Sequence, residues 1–360
     1  MKHGTSQERD LSYCSYCPNL CLHACPVSNA TRRSSLAPWA KMSLVRWVTQ
    51  GTVAQDRDTA SVLWQCTGCQ ACTSACKHGV DVSATLFHAR AGAVRAGLAP
   101  VSPAALARDS AAIALATEPF SAIHEERNRT LAHAVYVPGC DVVVNDPAEV
   151  RATLAVLEEL GFDVSIGPSR CCGYPQWAAG ALPELAQAAA AFAAGLTGHQ
   201  VVLVGPGTCA HTLRDLYEHA GVSLGTPVRP VLQVIAERLG TATFRPLGEQ
   251  VALHDSCHLA RRFGLVEQAR SVVERVTGHA PITLRWSGDA THCCGASGGW
   301  ERTNPDGAAQ AASDVLAMAR DAGAQALVTF DPSCRLHLAA RGELPVLSGV
   351  GLVARALGVA

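Results

Sequence analysis

A chain of 360 residues with a formal net charge of −1 has room for two or three domains, and without a long basic or acidic block it lacks the electrostatic footprint of a nucleic-acid binder. With 48% hydrophobic residues it can bury a substantial core, yet no uninterrupted apolar run reaches the ~18 residues that argue for a spanning helix. The first ten residues are polar and lack the apolar stretch of a secretory signal, so the 16 cysteines are expected to bind metal in a reducing cytoplasm rather than to form disulfides.

The first segment, residues 11–97, holds two dense cysteine runs, Cys14-x2-Cys17-x3-Cys21-x3-Cys25-Pro26 and Cys66-x2-Cys69-x2-Cys72-x3-Cys76. Between them Leu36, Trp39, Met42, Leu44, Trp47 and Val48 recur with a helical period over 35–50, and 83–97 reads the same way. Thiolates are soft ligands that suit iron–sulfur clusters and zinc. Structural zinc motifs usually present two CxxC pairs well apart, so runs this dense favour four-iron cubanes over a pair of zinc sites. The runs resemble those of bacterial two-cluster ferredoxins, in which the fourth thiolate of each run serves the other cluster. That resemblance implies one [4Fe-4S] cluster on Cys14, Cys17, Cys21 and Cys76, and a second on Cys66, Cys69, Cys72 and Cys25. Lys77 stands where a second proline would be, and three residues rather than two separate Cys17 from Cys21. Neither departure removes a ligand.

Residues 98–132, rich in Pro, Ala and Ser and then polar over 125–129, read as a linker with a helix inside it. From 133 the chain repeats itself. The first copy opens with the apolar strand Ala134–Val137, which ends at Gly139 and Cys140. Asp146 is expected as the N-cap and Pro147 as the first residue of a helix with Val150, Leu154, Leu157 and Leu160 on one face, stopped by Gly161. Strand Val164–Ile166, the triplet Cys171-Cys172-Gly173, a helix over 183–196, strand Val201–Val204 and Cys209 follow, and the copy closes at 235–240. In the second copy, strand 251–253 runs into Asp255-Ser256-Cys257, and a helix over 265–277 carries Val266, Ala269, Val273 and Val276 on one face. A strand over 282–284 precedes Cys293-Cys294-Gly295. Asn304 and Pro305 start a helix to about residue 322, strand 326–329 delivers Asp331-Pro332-Ser333-Cys334, and the copy closes at 353–358. Such alternation predicts small parallel α/β units, with ligands converging in the loops after the strands, where Cys140, Cys209, Cys257 and Cys334 lie.

The two copies read Cys140-x30-Cys171-Cys172-Gly173-x35-Cys209 and Cys257-x35-Cys293-Cys294-Gly295-x38-Cys334. This resembles the cysteine-rich CCG domain of heterodisulfide reductase catalytic subunits and of the iron–sulfur subunits of glycolate oxidase and anaerobic glycerol-3-phosphate dehydrogenase. The resemblance covers about residues 11–358. It implies an α plus α/β chain: a helical two-cluster ferredoxin domain at 11–97, a linker at 98–132, and duplicated CCG domains at 133–240 and 250–358. It also implies one or two further iron–sulfur clusters, on Cys140, Cys171, Cys172 and Cys209 and on Cys257, Cys293, Cys294 and Cys334. The family motif ends in CxxC, whereas Pro206 and Asp331 replace the first cysteine of that pair here, which puts the type and occupancy of these centres in question. His211, His254, His258, His292 and His337 flank the cysteines. His258 and His292 are the candidate proton donors if a substrate is reduced here, and hydrogen bonding around a cluster is the plainer role. Gly139, Gly173, Gly205, Gly207 and Gly295 are expected to let backbone approach bulky sulfur. Gly298-Gly299 is followed by no phosphate-loop Lys-Ser/Thr.

The expected function is an iron–sulfur electron-transfer subunit of an oxidoreductase. It would pass single electrons between a partner flavoprotein dehydrogenase, or another donor, and a quinone or thiol/disulfide acceptor. The alternatives are a disulfide reductase working at a CCG-bound cluster and a non-catalytic redox sensor. The expected location is cytoplasmic, with peripheral docking on the inner face of the cell membrane through residues 349–360 left open beside simple packing of that segment.

Overall fold

The computed structural model describes residues 6–128 and 133–360. The N-terminal unit is helical: Ser6–Tyr16, Pro26–Thr31, Pro38–Thr49, Arg57–Leu63, Ala71–Ser74 and Val82–Arg95. Local chemistry explains where these helices begin. Pro26 and Pro38 occupy first-turn positions, where their missing N–H costs nothing. Asp56 and Thr59 form a capping box, the Thr59 N–H donating to Asp56 Oδ1 at 2.8 Å. Asp81 accepts from the Ala84 N–H at 2.9 Å. Leu11, Met42, Val45, Leu63, Trp64 and Leu86 form the core of this unit. The helix expected over 35–50 begins three residues later, because Ser34–Leu36 is a tight 3₁₀ turn ahead of Pro38.

The segment expected as a linker is a packed element over much of its length. Its helix Ser110–Asn128 buries Ile113 and Phe120 in the core of the first α/β half, despite the internal Pro119. The rest of that segment, 129–132, lies outside the described residues.

Each half is built on a four-stranded parallel sheet. Strands β1 (Ala134–Val137), β2 (Val164–Ile166), β3 (Val201–Val204) and β4 (Val228–Pro230) are ordered β2-β1-β3-β4. Strands β5 (Ala252–Leu253), β6 (Ile282–Thr283), β7 (Leu327–Thr329) and β8 (Val346–Ser348) repeat the order as β6-β5-β7-β8. The registers match as well: Val135 pairs with Ser165 and Val202, and Ala252 pairs with Ile282 and Leu327. Strands β4 and β8 had no expectation in the sequence. Each is three residues long at a sheet edge, too short to show alternation, and β4 includes Pro230.

The halves share one apolar core, in which Val150, Leu157, Ile235, Val273, Val353 and Ala356 pack together. The C-terminal helix Gly349–Leu357 contributes its apolar face, Val350, Leu352 and Val353, to that core, so this face is not free for a membrane. Among the described residues no helix is long and apolar enough to cross a membrane. Asp146 precedes its helix as expected but makes no capping bond; its carboxylate instead pairs with Arg335 of the other half.

Candidate functional site

In each sheet the chain order reverses between the two central strands, which leaves a crevice at their carboxyl ends. Cys140 follows β1 and Cys209 follows β3; Cys257 follows β5 and Cys334 follows β7. Each therefore sits beside its own switch point, at or near the start of a helix or helical turn. The adjacent-cysteine triplets close the sets. In the first half Cys140 and Cys171 Sγ lie 3.7 Å apart, and Cys172 and Cys209 Sγ 3.5 Å apart. The equivalent pairs in the second half are Cys257 with Cys293 at 4.0 Å and Cys294 with Cys334 at 3.1 Å. Gly173 and Gly295 both have φ of +98°, which lets the chain fold back after each pair, and the Gly295 hydrogen faces the Ala308 backbone with no space for a Cβ.

The N-terminal thiols also gather into two groups. Burial, then the neighbouring Cys21, Cys76 and Cys17, pushes the Cys14 thiol up to about 12. Cys72, raised by burial, has Cys69, Cys66, Cys25 and Cys21 as its thiol neighbours. Cys17, Cys21 and Cys76 are partly exposed, whereas Cys25 and Cys69 are buried. The inner group touches the second half: Cys69, Ala71, Cys257 and Cys293 form one small buried cluster, and the neighbouring Cys293 thiol together with burial holds Cys69 well above its usual range.

Several residues that no motif pointed to hold these parts together. Arg90 is fully buried. It donates to the Leu63, Cys66, Ala178 and Gly298 carbonyls at 3.0, 2.9, 2.6 and 2.9 Å, reaching all three units at once. Arg261 Nε donates to the Cys69 carbonyl at 2.6 Å, and the buried Lys41 donates to the Gln65 carbonyl. Lys41 and Arg90 place positive charge beside Cys66, and Arg261 places it beside Cys69. A single basic residue in an apolar helix carries no spacing signal, which is why the sequence did not reveal them.

The five flanking histidines take different places. His258 is buried with Nδ1 3.8 Å from Cys257 Sγ and 3.7 Å from Asp331 Oδ2. His292 stacks on Trp286 with ring centroids 5.2 Å apart. His211 pairs with Asp215 at 2.9 Å, and burial holds its imidazole down to about 3. His337 donates through Nε2 to the Ala308 carbonyl at 3.1 Å. Burial holds His254 down to about 4, so its imidazole is neutral. A cavity of about 540 Å³ opens over the first-half thiols, with Arg108, Arg302 and His337 in its wall. His258 borders a separate, smaller pocket of about 120 Å³.

The donor set fits iron–sulfur groups. Burial raises most of these thiols, so without a bound cation they would stay protonated, and a metal that takes them as thiolates offsets that cost. Two thiolates on one tetrahedral metal atom, as in a lone ion or one iron of a two-iron cluster, with bonds of about 2.3 Å lie about 3.8 Å apart, close to the spacing of three of the four CCG pairs.

A family model described as a cysteine-rich domain (CCG) matches residues 134–214 and 251–339, and one described as a 4Fe-4S dicluster domain matches 10–80. The chain is 24% identical over 339 residues to one of the subunits of the fumarate reductase (CoM/CoB) of Methanothermobacter marburgensis, with 88% of this chain and 65% of that one covered. It thus spans less than two thirds of that relative. It is 25% identical over 322 residues to one of the subunits of the dihydromethanophenazine:CoB–CoM heterodisulfide reductase of Methanosarcina barkeri, covering 82% and 78%. Lactate utilization protein A 1 of Bacillus mycoides is 25% identical over 214 residues, covering 56% of this chain and 86% of the relative. Among solved structures, a hypothetical protein from Helicobacter pylori matches with a TM-score of 0.56 over 99% of this chain and 73% of its own, at 10% identity, a likeness of fold alone.

Proposed function

We propose that this chain, which belongs to the CCG cysteine-rich-domain family of iron–sulfur oxidoreductase subunits, carries single electrons between a redox partner and a quinone or thiol/disulfide acceptor. The partner in this reading is a flavoprotein dehydrogenase or another donor. Iron–sulfur groups, when bound, supply the one-electron chemistry. Cys14, Cys17, Cys21 and Cys76 would hold one group, and Cys66, Cys69, Cys72 and Cys25 another. The two CCG sets would hold the rest.

The observation that carries this reading is the contact between Cys69 and Cys293. It joins the ferredoxin-type unit to the second CCG half without an intervening gap. An exposed part of the unit suits a donor: half-buried Cys17 and Cys21 are next in the chain to Tyr16, 79% exposed, and Leu20, 54% exposed. Exposed apolar groups around a redox centre favour docking of another protein. Lys41, Arg90 and Arg261 stabilise negative charge on the inner thiolates and so tune how readily an electron is accepted there.

The cavity over Cys140, Cys171, Cys172 and Cys209 supports a second reading, a disulfide reductase. Two electrons and two protons would cleave the S–S bond of a bound disulfide and release two thiols. Arg302 would hold an acidic substrate in that cavity, where Arg108 is already paired with Asp141. The test is to reduce the anaerobic protein with dithionite and offer it either a short-chain quinone or a small acidic disulfide. Reoxidation by quinone in one-electron steps, without thiol release from the disulfide, supports the electron carrier. Stoichiometric thiol release supports the reductase.

A further inference from the structure

The second CCG half contains a donor that the cysteine pattern does not include. His254 directly follows β5 and is 1% exposed, and its Nε2 has no hydrogen-bond partner. A buried ring nitrogen left unpaired is costly and calls for an explanation. Its ligating nitrogen and the Sγ atoms of Cys294 and Cys334 all lie within 4.8 Å of one another. All three residues are buried.

We propose that His254 binds, through Nε2, the metal atom held by Cys294 and Cys334, making the second half a mixed imidazole–thiolate centre. The set suits a divalent transition metal that accepts both nitrogen and sulfur, either iron within a sulfide-bridged cluster or a lone zinc. Asp331, the other candidate for an extra ligand, is already engaged. Its Oδ1 accepts from the Ser333 and Cys334 N–H groups at 3.0 and 3.4 Å, and its Oδ2 faces His258. The carboxylate therefore shapes the loop that presents Cys334, and the imidazole completes the ligand set.

The internal repeat sharpens the inference. Cys257 corresponds to Cys140, so three residues earlier His254 corresponds to Val137, an apolar side chain packed in the core of its half. The first half has an apolar side chain in place of that imidazole, and its thiols open onto the large cavity. The second half has a buried imidazole among buried thiols. The two centres would differ in ligand set and therefore in potential.

This inference rests on the presence of a metal centre in the second half, and the test separates the two claims. The full-length protein is purified anaerobically as wild type, Cys294→Ala, His254→Ala, His254→Cys and Asp331→Asn, and iron, zinc and sulfide are measured per chain. The difference between wild type and Cys294→Ala defines the metal of the second half. His254→Ala should lose that same complement while the remaining iron is unchanged. His254→Cys should restore it, because a thiolate can replace the imidazole as a ligand but not as a hydrogen-bonding ring. Asp331→Asn, which keeps the capping oxygen, should retain it. Iron lost together with sulfide identifies a cluster, and zinc lost alone identifies a single ion. His254→Ala with the full wild-type metal content overturns the inference. So does a Cys294→Ala protein that loses nothing, and in that case the iron of the N-terminal unit still stands for the electron-carrying function.

Discussion

The Arg90 guanidinium donates to the Gly298 carbonyl at 2.9 Å, joining the last long helix of the ferredoxin-type unit to the loop that follows Cys294. Three further carbonyls, on Leu63, Cys66 and Ala178, complete its shell. Arg90 is thus the point at which all three units meet, and burial lowers its pKa only to about 10, so it stays charged at neutral pH.

Arg90→Met should therefore leave four buried carbonyls without a donor. Each such loss costs about 1–3 kcal/mol, so a total destabilisation of about 4 kcal/mol or more is expected. Arg90→Lys should rescue little, because one ammonium cannot reproduce the planar fork. Anaerobic thermal unfolding, with limited proteolysis to detect undocking of the N-terminal unit, measures both effects.

Gly298→Ala tests the same junction from the other side. Gly298 has φ of +74°, and an added Cβ would overlap the Cys66 carbonyl oxygen. The strained backbone alone costs about 1–3 kcal/mol, and the overlap forces the Cys66 loop to move. The expected result is a lower melting temperature together with reduced iron retention. Unchanged iron and stability would show that the loops are not locked together.

Cys69→Ser should remove one N-terminal cluster, a loss of about four irons. The chain should stay folded, since the CCG halves have their own sheets and core. Electron transfer from a reduced donor to the CCG half should fall sharply. Full iron with full transfer would contradict the assignment of Cys69.

Glu149 carries a pH dependence. It is buried between the halves, and burial raises its pKa above the ordinary 4.5. A raised carboxyl destabilises the fold only where it must ionise: the cost is absent below pH 4.5 and grows as pH rises through the folded-state value. Glu149→Gln should therefore raise the melting temperature at pH 8, with the difference shrinking toward about pH 4. A constant difference across that range would assign the effect to packing instead.

Much of this arrangement was legible in the amino-acid sequence because cysteine spacing and repeat register are strong, local signals. The strand–Cys and Cys-Cys-Gly order of residues 134–209, repeated at 252–334, announces two matching α/β halves by itself. Less was visible where the cause is tertiary. Asp146 has the sequence of an N-cap, but the Arg335 guanidinium across the interface takes its carboxylate. The edge strands β4 and β8 are defined by their neighbours rather than by their own pattern. Arg90 looks like an ordinary helix residue and His254 is one of five histidines flanking the cysteines, and only the fold shows which carbonyls and thiols they meet.

The most direct test is the iron, zinc and acid-labile sulfide content of the anaerobically purified chain, with EPR of its reduced and oxidised forms. About 8 irons or more per chain, matching sulfide and reduced-cubane signals are expected of an electron carrier with two ferredoxin-type clusters. Zinc without sulfide would contradict that function.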